Sequence, residues 1–84
     1  MKFRVAVQVL PRKGILDPQG KAVGDALRTL GFSQIEDVHV GRHIVVEAAA
    51  ESADAAAAAV RSMCERLLAN PVTEDFVISA VQAT

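Results

Sequence analysis

The sequence predicts an α+β fold in which two helices cover one face of an antiparallel sheet, with the chain order β-α-β-β-α-β. Three observations predict it. Apolar residues alternate with period two near both ends of the chain, two stretches carry apolar residues at helical spacing behind a capping residue, and a Gly-Arg pair separates two apolar runs in the middle. This order is that of the ferredoxin-like two-layer sandwich. A chain of 84 residues has room for one such domain, residues 1–84.

The first strand begins near the amino terminus. Phe3, Val5, Val7 and Val9 share one parity and alternate with mostly polar residues. Because successive side chains of a strand point to opposite faces, this pattern predicts a half-buried strand. Pro11 has no backbone N–H and predicts the end of the strand.

The first helix is predicted over residues 18–30. Asp17 is placed to accept a hydrogen bond from an early backbone N–H, and Pro18 suits the first helical position. Five apolar residues follow on one helical face: Ala22, Val23, Ala26, Leu27 and Leu30. Gly31 predicts a left-handed residue after the helix.

Two strands are predicted in the middle of the chain, at Val38–Val40 and Ile44–Ala48, joined by a two-residue turn at Gly41-Arg42. Glycine at the first turn position supplies the positive φ of a type II′ hairpin. Because Ile35 is out of parity with Val38, a bulge or a later strand start is expected near residues 36–37.

A second helix and a closing strand complete the order. Ser52 predicts the helix start, and Asn70-Pro71 predicts its end, since proline disfavours helical geometry in the preceding residue. The apolar face of this helix is Ala56, Val60, Met63, Cys64, Leu67 and Leu68. In the closing strand, one face is predicted to carry Phe76, Ile78 and Ala80 and the other to carry Val77, Ser79 and Val81.

The sheet face without helices predicts a partner. Ala6, Val81 and either Val45 or Val46 are expected on that face, and an exposed apolar face marks an interaction surface. The apolar residues are mostly small, with 15 Ala and 12 Val but no Trp or Tyr, so a lone chain buries little area. We therefore expect a homodimer that associates through its sheet.

Composition argues against two classes of partner. A net charge of −1 and a pI near 6.0 lack the basic field of a nucleic-acid-binding protein. The strand aromatics, Phe3 and Phe76, have the parity of the core, so neither is expected to stack on bases. No apolar run approaches the roughly 18–20 residues of a membrane span. The amino terminus has the pattern of a strand and not of a signal peptide, so a cytoplasmic protein is expected.

The residues that could carry chemistry do not form a site in the sequence. His39 and His43 flank a predicted hairpin, where a spacing of four has no metal-binding meaning, and Cys64 lies on an apolar helix face. Neighbouring residues of a strand face opposite ways, which excludes Glu36-Asp37 and Glu74-Asp75 as catalytic pairs. No catalytic, cofactor-binding or metal-binding residue is predicted. An accessory subunit of an enzyme and a stand-alone dimeric regulatory module that binds a small metabolite both fit; a self-contained enzyme ranks third.

Three strings carry a resemblance to a known family. Residues 13–20 read KGILDPQG, residues 37–42 read DVHVGR, and residues 64–72 read CERLLANPV. In order and spacing they resemble the PurS family, the small subunit of phosphoribosylformylglycinamidine synthase, over nearly the whole chain. His39, Arg42 and Thr73 depart from the residues that the family often has at these places.

The resemblance implies a role in de novo purine biosynthesis. The complex converts formylglycinamide ribonucleotide, glutamine and ATP to the formylglycinamidine. It further implies that ATP and Mg belong to the synthetase subunit PurL and that the nucleophilic cysteine belongs to the glutaminase subunit PurQ. The small subunit is then expected to be a dimer, with a tetramer as the alternative when it is free, and to carry no known catalytic residue. It bridges the other two subunits and supports ammonia transfer between them.

Charged turn residues are the expected contacts with these partners. Arg12 and Lys13 lie in the predicted loop before the first helix, and Gly41 and Arg42 lie at the predicted hairpin tip. Folding does not explain their charges, so we expect these four residues to contact PurL or PurQ.

Overall fold

A computed structural model describes all residues, 1–84, as three strands and two helices. The elements are β1 (Lys2–Pro11), α1 (Pro18–Thr29), β2 (Arg42–Ala49), α2 (Ala53–Met63), a π-helical turn (Cys64–Leu68) and β3 (Glu74–Ala83). The sheet has the order β2-β1-β3, and both pairings are antiparallel. The α+β class and the ferredoxin-like chain order are thereby confirmed. Residues 38–40, which were predicted as the second of four strands, pair with no strand of this chain.

The core lies between β1 and α2. Alternate residues of the central strand point toward the helix, as the parity predicted. The buried residues of this hydrophobic core are Phe3, Val5, Val7, Val9, Ala56, Val60, Cys64 and Ala69. Because α2 is rich in alanine, its backbone approaches the sheet closely enough for these small side chains to fill the space.

The second helix begins as predicted, but its helical residues end at Leu68, before the predicted stop at Asn70-Pro71. The Ser52 hydroxyl oxygen accepts from the Ala55 backbone N–H at 3.1 Å. Beyond Met63 the helix widens into the π-helical turn, in which the Ala69 N–H donates to the Cys64 carbonyl at 3.1 Å. Ala69 itself is extended, with φ −125° and ψ 145°, so the helix is over before Asn70-Pro71.

The predicted faces of β3 are wrong beyond Ile78, because a bulge interrupts its pairing with β1. Val7 pairs with Ile78, but Ala6 pairs with Ala80, which leaves Ser79 without a partner. The extra residue reverses the alternation, so Val81 packs against the core instead of facing away from it. Phe76 and Ile78 contact the core as predicted.

The predicted hairpin at Gly41-Arg42 does not form. The chain passes Gly41 without a turn into β2, and residues 38–40 pair with no strand. The Val40 N–H donates instead to a carboxylate oxygen of Asp17 at 2.9 Å. Gly41 has no positive φ, and its backbone packs against the Val9 carbonyl. Local turn chemistry is therefore overridden by contacts with β1 and with the start of α1.

Residues 15–40 form an arm that leaves the sheet. The arm consists of α1 and the extended return segment, residues 35–40, which lies along it. The Asp17 carboxylate caps α1 by accepting from the Gly20 N–H at 2.9 Å, as predicted, and also joins the return segment through Val40. Gly31 has the predicted positive φ of 104° after the helix.

The arm makes the molecule long. Its principal extents are 50 × 26 × 14 Å, and its radius of gyration is 16.1 Å. A compact chain of this length would have a radius of gyration of about 12 Å. Only α2 packs on the sheet, whereas α1 lies beyond the end of the sheet, so the expectation of two helices over one face is not met within a single chain.

The sheet face opposite α2 is bare and mostly polar. Arg4 and Glu47 form an ion pair on it at 3.3 Å. Ala6 and Val45 lie on this face as expected, together with Val77, which is 60% exposed. Association of two chains through this face stays a prediction. Neither helix has the length and apolar character needed to cross a membrane.

Candidate functional site

The sequence-predicted interface residues lie at the end of the sheet from which the arm departs. Arg12 follows β1, Gly41 and Arg42 lead into β2, and β3 begins next to them at Glu74. We call Arg12, Arg42, Glu74 and Asp75 the sheet-end cluster. Two cations and two carboxylates from three strands meet there, so the cluster depends on the tertiary fold.

Arg42 and Glu74 form the strongest contact of the cluster. The two guanidinium nitrogens of Arg42 each donate to one carboxylate oxygen of Glu74 at 2.8 Å. One of these nitrogens also donates to the Leu68 carbonyl at 2.9 Å, and the Asn70 N–H donates to Glu74 at 2.8 Å. Arg42 therefore ties the start of β2 to the end of the second helix and to the start of β3.

Proton binding reflects this geometry. The hydrogen bonds from Arg42, and then that from the Asn70 N–H, hold the pKa of Glu74 below its ordinary value. The same contact with Glu74 raises the pKa of Arg42. At neutral pH the pair is fully charged, and its charges satisfy each other.

Arg12 and Lys13 differ in how free their charges are. Nε of Arg12 lies 3.3 Å from the Glu74 backbone carbonyl, to which it donates, and 3.2 Å from a carboxylate oxygen of Asp75. Lys13 is exposed and forms no ion pair. It lies in the turn that follows β1 and is the unpaired cation of this site.

Gly41 is required by packing. A Cβ atom at this position would overlap the Val9 carbonyl oxygen and would lie 2.6 Å from Cδ2 of Leu10. The absence of a side chain is what lets the chain pass β1 at this point. Of the four predicted residues, Gly41 thus positions the strand, Arg42 is held by Glu74, Arg12 is held by Asp75, and Lys13 is free.

An open cleft of about 640 Å³ lies between the sheet end and the base of the arm. Asp17 and Pro18 border it on the arm side, and Arg42 and Glu74 border it on the sheet side. Sequence analysis missed Glu74 as a site residue and placed Asp17 only as a helix cap. The adjacent acidic residues Glu74-Asp75 were the available signal, because carboxylates at a strand start can pair with the cations Arg12 and Arg42 of the neighbouring segments.

Groups of three or more His, Cys, Asp or Glu with the arrangement of a metal site do not occur in the structure. Nδ1 of His39 lies 3.8 Å from Asp17, and His43 is on the exposed edge strand. Cys64 is fully buried, and its burial raises the pKa of the thiol, which opposes formation of the nucleophilic thiolate. The site can hold ordered charges against another protein surface.

Acid is expected to loosen both the arm and the sheet end. Two backbone N–H groups, of Gly20 and Val40, lower the pKa of Asp17, and Arg42 lowers that of Glu74. A carboxylate whose pKa is depressed by folding adds stability that is complete above its unfolded pKa, about 4, and is lost as the pH falls through the folded value. Urea unfolding between pH 7 and pH 3 should therefore show stability falling below about pH 4.

Single variants test the source of this acid sensitivity. Asp17→Asn and Glu74→Gln should each be less stable at pH 7 and should lose less stability toward pH 3 than the parent chain. Glu51→Gln changes an exposed carboxylate without an ion pair and should leave the pH profile unchanged. A profile identical in all four proteins would contradict the assignment.

Comparison with known proteins agrees with this picture. The family model "PurS: Phosphoribosylformylglycinamidine (FGAM) synthase" matches residues 4–82. The phosphoribosylformylglycinamidine synthase subunit PurS of Bacillus subtilis is 39% identical over 76 residues, covering 88% of this chain and 87% of that protein. The subunit of the same name from Mycobacterium leprae is 41% identical over 76 residues, covering 90% of this chain and 92% of that protein.

Solved structures share the fold. Thermus thermophilus PurS superposes with a TM-score of 0.87 at 33% identity, covering 100% of this chain and 99% of that chain. A chain of the Thermotoga maritima PurLQS structure superposes with a TM-score of 0.81 at 30% identity, covering 98% of this chain and 96% of that chain. Family match, sequence identity and fold all agree over nearly the full length: the chain belongs to the PurS family and is a PurS subunit of phosphoribosylformylglycinamidine synthase.

Proposed function

We propose that this chain is a non-catalytic subunit that bridges the synthetase PurL and the glutaminase PurQ in the cytoplasm. The observation that carries the proposal is the close superposition on a chain of the T. maritima PurLQS structure, over 98% of the present chain. In this role the chain acts as a homodimer, with a tetramer as the alternative state of the free protein.

The proposal divides the chemistry among the subunits. PurL holds ATP and Mg, and PurQ holds the nucleophilic cysteine that releases ammonia from glutamine. The present chain offers no such cysteine, since Cys64 is enclosed by the core. Its contribution is to fix the orientation of PurL and PurQ, so that ammonia crosses without release into water.

We place the contact with PurL or PurQ at Arg12, Lys13, Gly41 and Arg42. Lys13 is the main electrostatic contact, because its charge is exposed and unpaired. Arg12 adds charge beside it. Gly41 and Arg42 act indirectly, by fixing the position of the start of β2. Gly41 permits its close contact with β1, and Arg42 forms an ion pair with Glu74.

Reconstitution tests the proposal. PurL and PurQ are mixed with ATP and formylglycinamide ribonucleotide, with and without this chain, and with either glutamine or ammonium as nitrogen donor. Glutamine-driven synthesis should require the chain, whereas ammonium-driven synthesis should need it far less. Lys13→Glu, and more strongly Arg12→Glu with Lys13→Glu, should raise the chain concentration needed for half-maximal glutamine-driven synthesis by about tenfold.

The matched control is Lys2→Glu, which makes the same charge change in an exposed residue at the start of β1. It should behave like the parent chain. Equal glutamine-driven synthesis without the chain would refute the bridging role. A thermal shift of the isolated chain with a small metabolite, and none with PurL or PurQ, would support the regulatory module instead.

A further inference from the structure

β3 is an edge strand that the chain leaves open. It pairs with β1 on one side only, because the sheet order is β2-β1-β3. An edge strand offers unpaired N–H and C=O groups to another chain, and proteins commonly block it with charged residues, proline or a bulge. From Phe76 to Thr84 the sequence has no charged residue and no proline. The bulge at Ser79 is the one such block, so the edge before it, from Phe76 to Ile78, is unprotected.

The register shows which backbone groups of β3 face outward. The Arg12 N–H donates to the Thr73 carbonyl at 2.8 Å, so Thr73 directs its backbone toward β1. In an antiparallel pair, the residues that bond to the neighbouring strand alternate with residues that do not. Residues 75 and 77 therefore also bond to β1, whereas the backbone groups of Phe76 and Ile78 point away from it.

The chain satisfies only the first of these outward positions, Glu74. Its N–H donates to the Asn70 carbonyl at 2.8 Å, and its carbonyl accepts from Nε of Arg12 at 3.3 Å. The outward groups of Phe76 and Ile78 take part in no turn, loop or side-chain hydrogen bond. The free edge therefore begins at Phe76, and its two residues present donors and acceptors at the spacing of an extended segment.

A cavity of about 210 Å³ opens beside the free edge. Phe76 and Pro71 border it, and its inner side is formed by Cys64 and Ala69, which are buried. A strand added to a sheet edge binds through its main chain and is selected by pockets for its alternate side chains. A segment bound along Phe76 and Ile78 has one side chain level with this cavity, and the lining selects an apolar one.

Two charged side chains of the second helix stand beside this edge without ion pairs. The guanidinium of Arg61 lies 5.9 Å from the centre of the Phe76 ring, and Glu65, one turn further along, borders the cavity. Neither forms an ion pair in the chain. A second copy of β3 has no charged residue after Asp75, and its two carboxylates are bound by its own arginines. The edge therefore fits a segment of a different protein, with a charge of each sign beside its apolar residue.

The open edge is continuous with the contact that we place at Arg12 and Lys13. Arg12 borders the cavity and lies 3.2 Å from a carboxylate oxygen of Asp75. Lys13 is the next residue along the chain. A protein surface that engages Lys13 thereby also reaches the start of β3.

We infer that the one subunit that engages Lys13, whether PurL or PurQ, adds an extended segment to the edge of β3. The segment forms main-chain hydrogen bonds with Phe76 and Ile78 and places an apolar side chain in the cavity beside Pro71. Because main-chain pairing fixes the direction of a strand, this contact orients the subunit as well as binding it. The inference rests on the bridging role proposed above and names a second part of the same contact.

Amide hydrogen exchange tests the edge directly. In the isolated chain the amides of Phe76 and Ile78 should exchange quickly, whereas bonds to β1 should protect those of residues 75 and 77. In the complex with PurL and PurQ, exchange at Phe76 and Ile78 should slow by about tenfold or more. The outward amides of Val81 and Ala83 lie beyond the bulge, so they are the internal control and should not change.

A pair of variants at Ile78 separates the backbone bond from the side chain. Ile78→Ala shortens the side chain and keeps the N–H, whereas Ile78→Pro also removes the N–H. Proline is tolerated where the N–H of an edge strand faces solvent, so both variants should fold and unfold cooperatively in urea. Compared with Ile78→Ala, Ile78→Pro should raise the chain concentration needed for half-maximal glutamine-driven synthesis by about tenfold.

Sedimentation with each subunit separately tests whether the contact has one partner. Ile78→Pro and Lys13→Glu should weaken binding to the same subunit, PurL or PurQ, and leave binding to the other unchanged. If the two variants weaken binding to different subunits, the inference is wrong. This measurement uses parent chain, Ile78→Ala and Lys2→Glu as the references.

The remaining outcomes separate this inference from the bridging role. Fast exchange at Phe76 and Ile78 in a complex that sustains glutamine-driven synthesis would overturn the edge contact and leave the bridging role intact. Protection of the same amides in the isolated chain, increasing with its concentration, would mean that a second copy occupies the edge, and would also overturn it. If the parent chain binds neither PurL nor PurQ, the bridging role fails and the edge contact fails with it.

Discussion

Gly41→Ala is expected to lower the free energy of unfolding by about 2–3 kcal/mol, a large effect for one methyl group in a small domain. The added Cβ would overlap the Val9 carbonyl oxygen and approach Cδ2 of Leu10 at 2.6 Å. The leucine side chain can rotate, but the backbone carbonyl of a central strand cannot retreat without disturbing the pairing of β1 on both sides. Urea unfolding followed by circular dichroism would measure the loss.

Gly24→Ala is the matched control. A Cβ at Gly24 would meet its nearest atoms at 3.5 Å, an ordinary contact. Because glycine within a helix costs roughly 0.5–1 kcal/mol relative to alanine, Gly24→Ala should be neutral or slightly stabilising. If Gly41→Ala unfolds at the same urea concentration as the parent chain, the close packing of residue 41 on β1 is refuted.

Arg42→Glu is expected to be the second large effect. It replaces two charge-assisted hydrogen bonds with repulsion between two carboxylates and removes the donor to the Leu68 carbonyl. About half of the Arg42 side chain is exposed, and water therefore weakens the electrostatic contribution of this ion pair to stability. We expect a loss of about 1–2 kcal/mol in the free energy of unfolding.

A charge swap separates the ion pair from the rest of the contact. Arg42→Glu combined with Glu74→Arg should be more stable than the sum of the two single changes predicts, since opposite charges face each other again. Full recovery is not expected, because the Asn70 N–H loses its acceptor at Glu74. Additive single effects would mean that Arg42 and Glu74 do not stabilise each other. Arg42 would then be free to contact a partner, as its exposed position first suggested.

These variants matter for function as well as stability. Gly41 and Arg42 belong to the proposed contact with PurL or PurQ, but both also hold β2 in place. A failure of assembly in either variant is informative only beside its unfolding curve. Lys13→Glu has no such ambiguity, because Lys13 is exposed and takes part in no intrachain ion pair.

Local features of the sequence were sufficient to predict the structure wherever the deciding interaction joins residues that are close in the sequence. Asp17 and Ser52 each cap a helix through a backbone N–H three residues ahead. The alternation in β1 is unbroken because that strand is central and both of its neighbours are part of the same sheet. The predictions failed where contacts between residues distant in the sequence decide the structure. At Ser79, for example, the bulge in β3 reflects the register of its pairing with β1.

By itself the sequence determined the fold class, the chain order, both helices, the buried face of β1 and, through its resemblance, the family. These features follow from hydrophobic periodicity, helix capping and specific sequence strings, all of which depend on residues that are close in the sequence. Only the tertiary structure decided that residues 38–40 follow α1 instead of turning back, and that Arg42 is bound to Glu74. The reason is physical: Gly41 permits both a turn and a straight passage. The choice between them rests on the contacts of residues 40–42 with Val9, Asp17 and Glu74, which join residues at least 23 positions apart in the sequence.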